Sequence, residues 1–195
     1  MSKSNTGFHV FEKILVYLLV VLLVLGVAGG ITYFVARAQG VSFFVEFDNQ
    51  KYFSNVENKN LSLEDKAAYD FSVKSLTGKN VDFKVQITAN PDNNFAFSAG
   101  TEIGFLWSKD TAKNDYTEFF NVEKNENGFS VAIPKNMTVQ SVIESKYGSD
   151  IFPEKEIQSD LDYFVIEVTS GKNVVRLPFR FFKLTLTLDP SEIIF

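Results

Sequence analysis

Cysteine is absent from this 195-residue chain, and its only histidine is His9. The first absence removes disulfides, thiolate nucleophiles and every cysteine-based metal site. The second leaves no Ser-His, Cys-His or His-metal arrangement beyond the first few residues, which closes most hydrolase and zinc mechanisms. Phosphate-binding glycine loops are missing as well. Gly128 and Gly171 are isolated turn glycines, outside any G-x-G-x-x-G or Walker pattern. Arginine occurs only at Arg37, Arg176 and Arg180, and the net charge is -5, a balance that repels phosphate backbones and argues against nucleic acid as a partner. No catalytic residue, metal site or cofactor is readable. What the chain has in excess is phenylalanine, 21 residues of it, enough apolar bulk for a core that needs no disulfides. A cysteine-free domain of this size suits a bacterial cell surface.

One long run carries no charge. The 23 residues from Ile14 to Ala36 would span about 35 Å as a helix, against a hydrocarbon core of about 30 Å. Lys13 and Arg37 bracket the run, and Tyr17 and Tyr33 fall near its ends, where amphipathic rings sit among headgroups. Ala36-Arg37-Ala38 has the small-x-small spacing of a signal-peptide cleavage site, but the run exceeds the roughly 7 to 15 apolar residues of a cleaved signal, so it is expected to stay as an anchor. The expected organisation is a cytoplasmic tail over residues 1–13, a transmembrane helix over 14–36 embedded in the bilayer, and an extracytoplasmic domain over 41–195. Flanking charge barely decides the orientation, since Lys3 and Lys13 are matched by Arg37 and Lys51. A large β domain rich in Asn, Thr and aromatics is the part expected outside the plasma membrane, with the N-terminus in the cytoplasm. Gly26 and Gly30 form a small-xxx-small pair that would let two such helices pack as a homo-oligomer, although glycine is also simply frequent in spanning helices.

Past the anchor, apolar residues alternate with polar ones and turn residues separate the runs. Strands are expected over 41–47, 69–75, 81–88, 95–98, 101–107, 117–123, 129–133, 163–169 and 173–181. Ser62 with Asp65 reads as the cap of a short helical turn. A three-residue loop ending at Gly78 would pair Val73 with Val81 and Phe71 with Phe83. A two-residue Gly171-Lys172 loop sets Val168 against Val175, Ile166 against Leu177, Phe164 against Phe179 and Glu167 against Arg176. The spacing of Val139, Val142, Ile143 and Tyr147 predicts one short amphipathic helix between Thr138 and Gly148. Beyond Phe181 the apolar parity flips to Leu184, Leu186 and Leu188, which calls for a bulge or a sheet crossover near Phe182-Lys183. The fold class is therefore mostly β: an N-terminal transmembrane helix, then an antiparallel β-sandwich. Its strand count resembles that of immunoglobulin-like sandwiches, a likeness of architecture from which no function carries over.

Candidate binding residues are few. Trp107 precedes a polar loop, Ser108 to Asp115, which Tyr116, Phe119 and Phe120 follow, and an aromatic beside such a loop can stack on a sugar or anchor a peptide. Burial statistics also weigh toward a core role for that tryptophan. Phe195 ends an apolar Ile193-Ile194-Phe195 segment that either closes the core or is offered to a partner. Glu102, Glu118, Glu123 and Glu167 lie on expected strands, where two could converge as a glycosidase pair. Asp150, Glu154, Glu156, Asp160 and Asp162 crowd one loop without the spacing of an EF-hand. The leading expectation is a non-enzymatic, membrane-anchored binding or assembly module of the cell envelope, its partner an envelope protein or wall polymer. The alternatives are a carboxylate-dependent enzyme acting on surface glycans and an accessory subunit of a larger membrane complex.

Overall fold

Aromatic and β-branched residues at every second position make strands because one face of each run can be buried while the backbone pairs sideways. The computed structural model describes residues 14–21, 40–64, 68–99, 101–135, 137–149, 151–153, 157–158 and 161–182. The chain divides into two units, Met1–Val41 and Ser42–Phe195. In the first, residues 14–21 are helical. The rest of the expected span, with Gly26 and Gly30, lies outside the described residues, and among the described residues no helix is long and apolar enough to cross a membrane.

The second unit is mostly β, with few helices and, among the described residues, no closed sheet. In chain order its strands are β1 (Phe43–Phe47), β2 (Gln50–Phe53), β3 (Leu61–Glu64), β4 (Tyr69–Ser75), β5 (Lys84–Ala89), β6 (Ala96–Ala99), β7 (Glu102–Phe105), β8 (Asn121–Asn125), β9 (Gly128–Ala132), β10 (Ile151–Pro153), β11 (Phe164–Ser170) and β12 (Asn173–Phe182). Helix α1 (Val139–Tyr147) falls between β9 and β10. One sheet has the order β2-β1-β4-β9-β8, a second β3-β12-β11-β5, and a third β10-β6-β7. Among the described strands every pairing is antiparallel except that of β3 with β12.

The β11–β12 register is the expected one, with Val168, Ile166 and Phe164 opposite Val175, Leu177 and Phe179, and Glu167 opposite Arg176. Gly171 takes the positive φ, 58°, that the two-residue turn requires. Helix α1 also forms as expected. Thr138 Oγ1 accepts from the Ser141 amide at 3.0 Å, Ser141 Oγ accepts from the Thr138 amide at 2.9 Å, and Gly148 ends the helix at φ 102°.

Three expectations change. The Gly78 loop closes as predicted, with the Ser75 amide donating to the Lys79 carbonyl and Gly78 at φ 78°, but the ladder ends at one Lys74–Asn80 bridge. Residues 81–83 are not strand, Phe71 faces Phe129 of β9 rather than Phe83, and β5 pairs with β11. Ser62 is not a helix cap, because Leu61 and Leu63 of β3 are buried against β12, opposite Phe179 and Phe181; Asp65 lies outside the described residues. The described residues hold twelve strands instead of about nine. Those added are β2, turned back by Asp48 and Asn49 with both φ angles positive, β3, and β10 inside the acidic loop. The expected bulge or crossover at Phe182-Lys183 and the segment ending at Phe195 fall at or beyond the limit of the described residues.

One buried cluster holds Val45, Phe71, Val73, Phe129 and Val131 of the first sheet together with Ile87, Phe164, Ile166, Val168, Val175, Leu177 and Phe179 of the second. Its aromatic rings run in series. Phe47 stacks on Phe71 at 4.6 Å and Phe71 on Phe129 at 4.7 Å, while Phe120 meets Phe164 and Phe179 edge-on at 5.4 and 5.6 Å. Within the first sheet, β4 and β9 approach so closely that a Cβ added to Gly128 would fall on the Phe71 carbonyl. Gly128→Ala is expected to cost about 3 kcal/mol, since backbone must move to admit the methyl. Gly78→Ala, with open space around it but a positive φ, should cost only about 1 to 2 kcal/mol. Thermal unfolding of the two variants, followed by circular dichroism, checks the order.

Candidate functional site

Alternation along β5, β11 and β12 sends one set of side chains into the core and leaves the other on the outside of the second sheet. The outward set forms cross-strand rows. Gln86 lies opposite Glu167 and Glu167 opposite Arg176; Thr88 lies opposite Val165 and Val165 opposite Pro178. Arg176 Nε and Glu167 Oε1 are 2.8 Å apart.

Two loops raise this floor into a groove of about 1100 Å³. The segment after β2 is held on β12: the Asn55 amide donates to the Val174 carbonyl at 2.8 Å, and Asn55 Oδ1 accepts from the Val174 amide at 3.1 Å. Within it, Asn58 Oδ1 accepts from the Phe53 amide at 3.1 Å. The other wall is the turn Pro91–Asn93, with Trp107, Lys109 and Asn114. Seven of the 20 lining residues are amides, namely Gln86 and six asparagines, and Trp107 is the one aromatic among them.

Asp162 holds three of those asparagines from behind. Its carboxylate accepts from Asn60 Nδ2, and its carbonyl accepts from Asn90 Nδ2 at 2.7 Å and Asn93 Nδ2 at 3.1 Å. Asp162 is 4% exposed, and Oδ1 has no hydrogen-bond partner among the described residues. Burial raises its carboxyl above the usual carboxylate range, opposed by the Arg180 charge and the Asn60 hydrogen bond. A raised native pKa means that this residue's contribution to stability is fully present below the unfolded-state pKa and is lost as pH rises through the native value. Asp162→Asn keeps an acceptor for Asn60 and removes the titration. The stability of the variant relative to wild type should therefore climb between pH 3 and pH 7, as followed by thermal unfolding across that range; a constant difference would contradict it.

Of the aromatics singled out in the sequence, Trp107 lines the groove half-buried, its amide donating to Asn94 Oδ1 at 2.8 Å. Tyr116 belongs to the core instead. It is fully buried, its hydroxyl donates to the Leu106 carbonyl at 2.6 Å, and the Tyr147 hydroxyl is 3.2 Å away. Burial, and then Tyr147, push its phenol pKa upward. Lys146 Nζ stands 3.7 Å from the centre of the Tyr116 ring and donates to the Lys113 and Asp115 carbonyls, each at 2.6 Å. Phe119 is half-buried beside Tyr116, ring centres 6.2 Å apart. The intervening loop turns one aromatic outward and the next inward because Asn114, buried, ties its start: Oδ1 accepts from the Ser108 amide at 2.6 Å and Nδ2 donates to the Ser108 carbonyl. Tyr116→Phe should cost about 1 to 2 kcal/mol by stranding the Leu106 carbonyl, a difference that unfolding measurements resolve.

Of the four glutamates singled out in the sequence, Glu167 alone lines the groove, paired with Arg176; Glu102 is exposed on β7; Glu118 and Glu123, both exposed, border a separate depression of about 600 Å³. Among the described residues no group of three or more His, Cys, Asp or Glu is placed to hold a metal ion. Asp162 of the acidic loop turns inward, whereas Asp150, Glu154, Glu156 and Asp160 lie outside the described residues, as does Phe195. The asparagines of the groove walls were legible only as turn formers. Their runs at 55–60 and 90–94 signal loops, and no local pattern says that both loops flank one sheet face. No protein-family model matches the chain, and no curated protein or solved structure is significantly similar to it.

Proposed function

We propose that this protein is a membrane-anchored, non-enzymatic binding module of the cell envelope. Its anchor is the uncharged Ile14 to Ala36 segment, its domain stands outside the membrane, and its ligand surface is the groove on the second sheet. The observation that carries the reading is that groove: a concave, amide-lined face with one half-exposed tryptophan, built on paired strands and fixed by a buried aspartate. The architecture we assign is an immunoglobulin-like sandwich, and the strand order supports it. Taking β1, β4, β5, β8, β9, β11 and β12 as strands A to G reproduces one sheet of A, B, E and D and another of G, F and C. On this assignment β3 is an added strand beside G, and the β6–β7 hairpin is an insertion between C and D. Such sandwiches present loops and sheet faces to partners while the core stays rigid.

A second reading, a carboxylate-dependent enzyme acting on glycans, draws on Glu118 and Glu123 bordering one depression. Their exposure favours solvated side chains, because both stand on an open surface with no enclosure around a reacting group.

The test uses the full chain with a C-terminal tag. The protein is expected in the membrane fraction at full mass with the tag open to protease from outside, and a photo-crosslinking residue in place of Lys109 should join it to an envelope component. A soluble product starting near Gln39, a protected tag, or the absence of any crosslink would each defeat the proposal in that part.

A further inference from the structure

We infer that the groove takes a neutral, polyhydroxylated chain, a glycan, with Trp107 as its stacking platform and Gln86 and Thr88 as readers of its hydroxyl groups; this rests on the binding-module reading above. The first argument is donor and acceptor chemistry. A primary amide offers both a donor and an acceptor in one plane, which matches a hydroxyl that does both. The walls carry such groups already oriented, since Asn60 and Asn93 reach the surface while their Nδ2 groups are held on Asp162. On the floor, the side chains of Gln86 and Thr88 make no hydrogen bond among the described residues and remain available.

Charge is the second argument. Lys109 and Arg176 stand against Glu57, Asp92 and Glu167 in the lining, and Arg176 is bound to Glu167 at 2.8 Å. The groove therefore offers no concentrated positive field to a polyanion and no strong negative one to a polycation. Trp107 adds a flat apolar surface of the kind that the C–H face of a pyranose ring covers, while its neighbours reach the equatorial hydroxyls.

Main-chain recognition of a peptide is closed at Ile87 and Thr88 of β5, the strand that supplies Gln86 and Thr88. The Ile87 amide donates to Thr117 Oγ1 at 2.9 Å, the Ile87 carbonyl accepts from the Tyr116 amide at 2.8 Å, and Thr88 is bridged to Asp115. A peptide strand cannot add to an edge that is already occupied. The groove thus reads its ligand through side chains.

Trp107 is the only tryptophan in the chain, so its emission reports groove occupancy without a label. The experiment titrates the full chain in lipid vesicles with three neutral hexasaccharides: β-1,4-linked glucose, β-1,4-linked N-acetylglucosamine and α-1,4-linked glucose. Poly(glycerol phosphate) and an uncharged hexapeptide run in parallel. A saturable emission change with at least one saccharide is expected, weakened at least fivefold in the Gln86→Ala, Thr88→Ala double variant, whose unfolding curve should match that of the wild type. Silence toward all three saccharides overturns the inference, as does binding that the double variant leaves intact. A response to the polyanion or the peptide alone assigns the groove to another ligand class and leaves the binding-module reading standing. Silence toward every probe, combined with no crosslink at position 109, removes both.

Discussion

Strand parity in the second sheet is the constraint on which both the core and the groove depend. Along β11 the side chains of Phe164, Ile166 and Val168 point one way, and those of Val165 and Glu167 the other. The Gly171-Lys172 turn sets β12 so that Leu177 joins the first row and Arg176 the second, and β5 continues both rows with Ile87 and Gln86. A slip of one residue would carry a carboxylate and a guanidinium into the core and aromatic rings into the groove. The register is therefore a single decision with two consequences, one energetic and one chemical.

Without disulfides, rigidity comes from ring packing and from a few buried polar ties. The Phe47, Phe71 and Phe129 stack runs along the first sheet, and Phe120 inserts between elements to meet Phe164 and Phe179. Where irregular chain must be fixed, an amide or a carboxylate does it, as Asn114 does for its loop and Asp162 for the wall of the groove. Lys146 joins α1 to the Lys113 to Asp115 segment by two carbonyls and one ring face. These ties explain why a groove bordered by loops is nonetheless preorganised.

The elements legible in the sequence are those decided locally. The β11–β12 hairpin, the Gly78 turn and helix α1 each carry their own turn glycine or cap, and each forms where expected. The strands that escaped are short or paired with distant partners. Leu61 and Leu63 read as loop because nothing nearby says that Phe179 and Phe181 will lie alongside. Hairpin logic alone pairs Phe71 with Phe83, and β9 takes that place because Gly128 lets the strand approach. The site follows the same division. Trp107 and Tyr116 are equivalent in a hydropathy pattern, and only the tertiary path of the loop between them puts one at a surface and the other in the core.

The parallel pairing of β3 with β12 bears on the order in which the domain can form. Leu61 and Phe179 are neighbours separated by 118 residues of chain, and among the described strands β3 pairs in its sheet with β12 alone. During synthesis, at about 5 to 20 residues per second, β3 waits several seconds before its partner exists. Until then its two leucines lack the strand that covers them. An early segment must therefore wait to be laid onto a late one. That step also brings Asn58 to Arg176 and Asn60 to Asp162, so this wall of the groove is complete only after β12 has been made, and a nascent chain that stops short of it carries no complete groove to occupy.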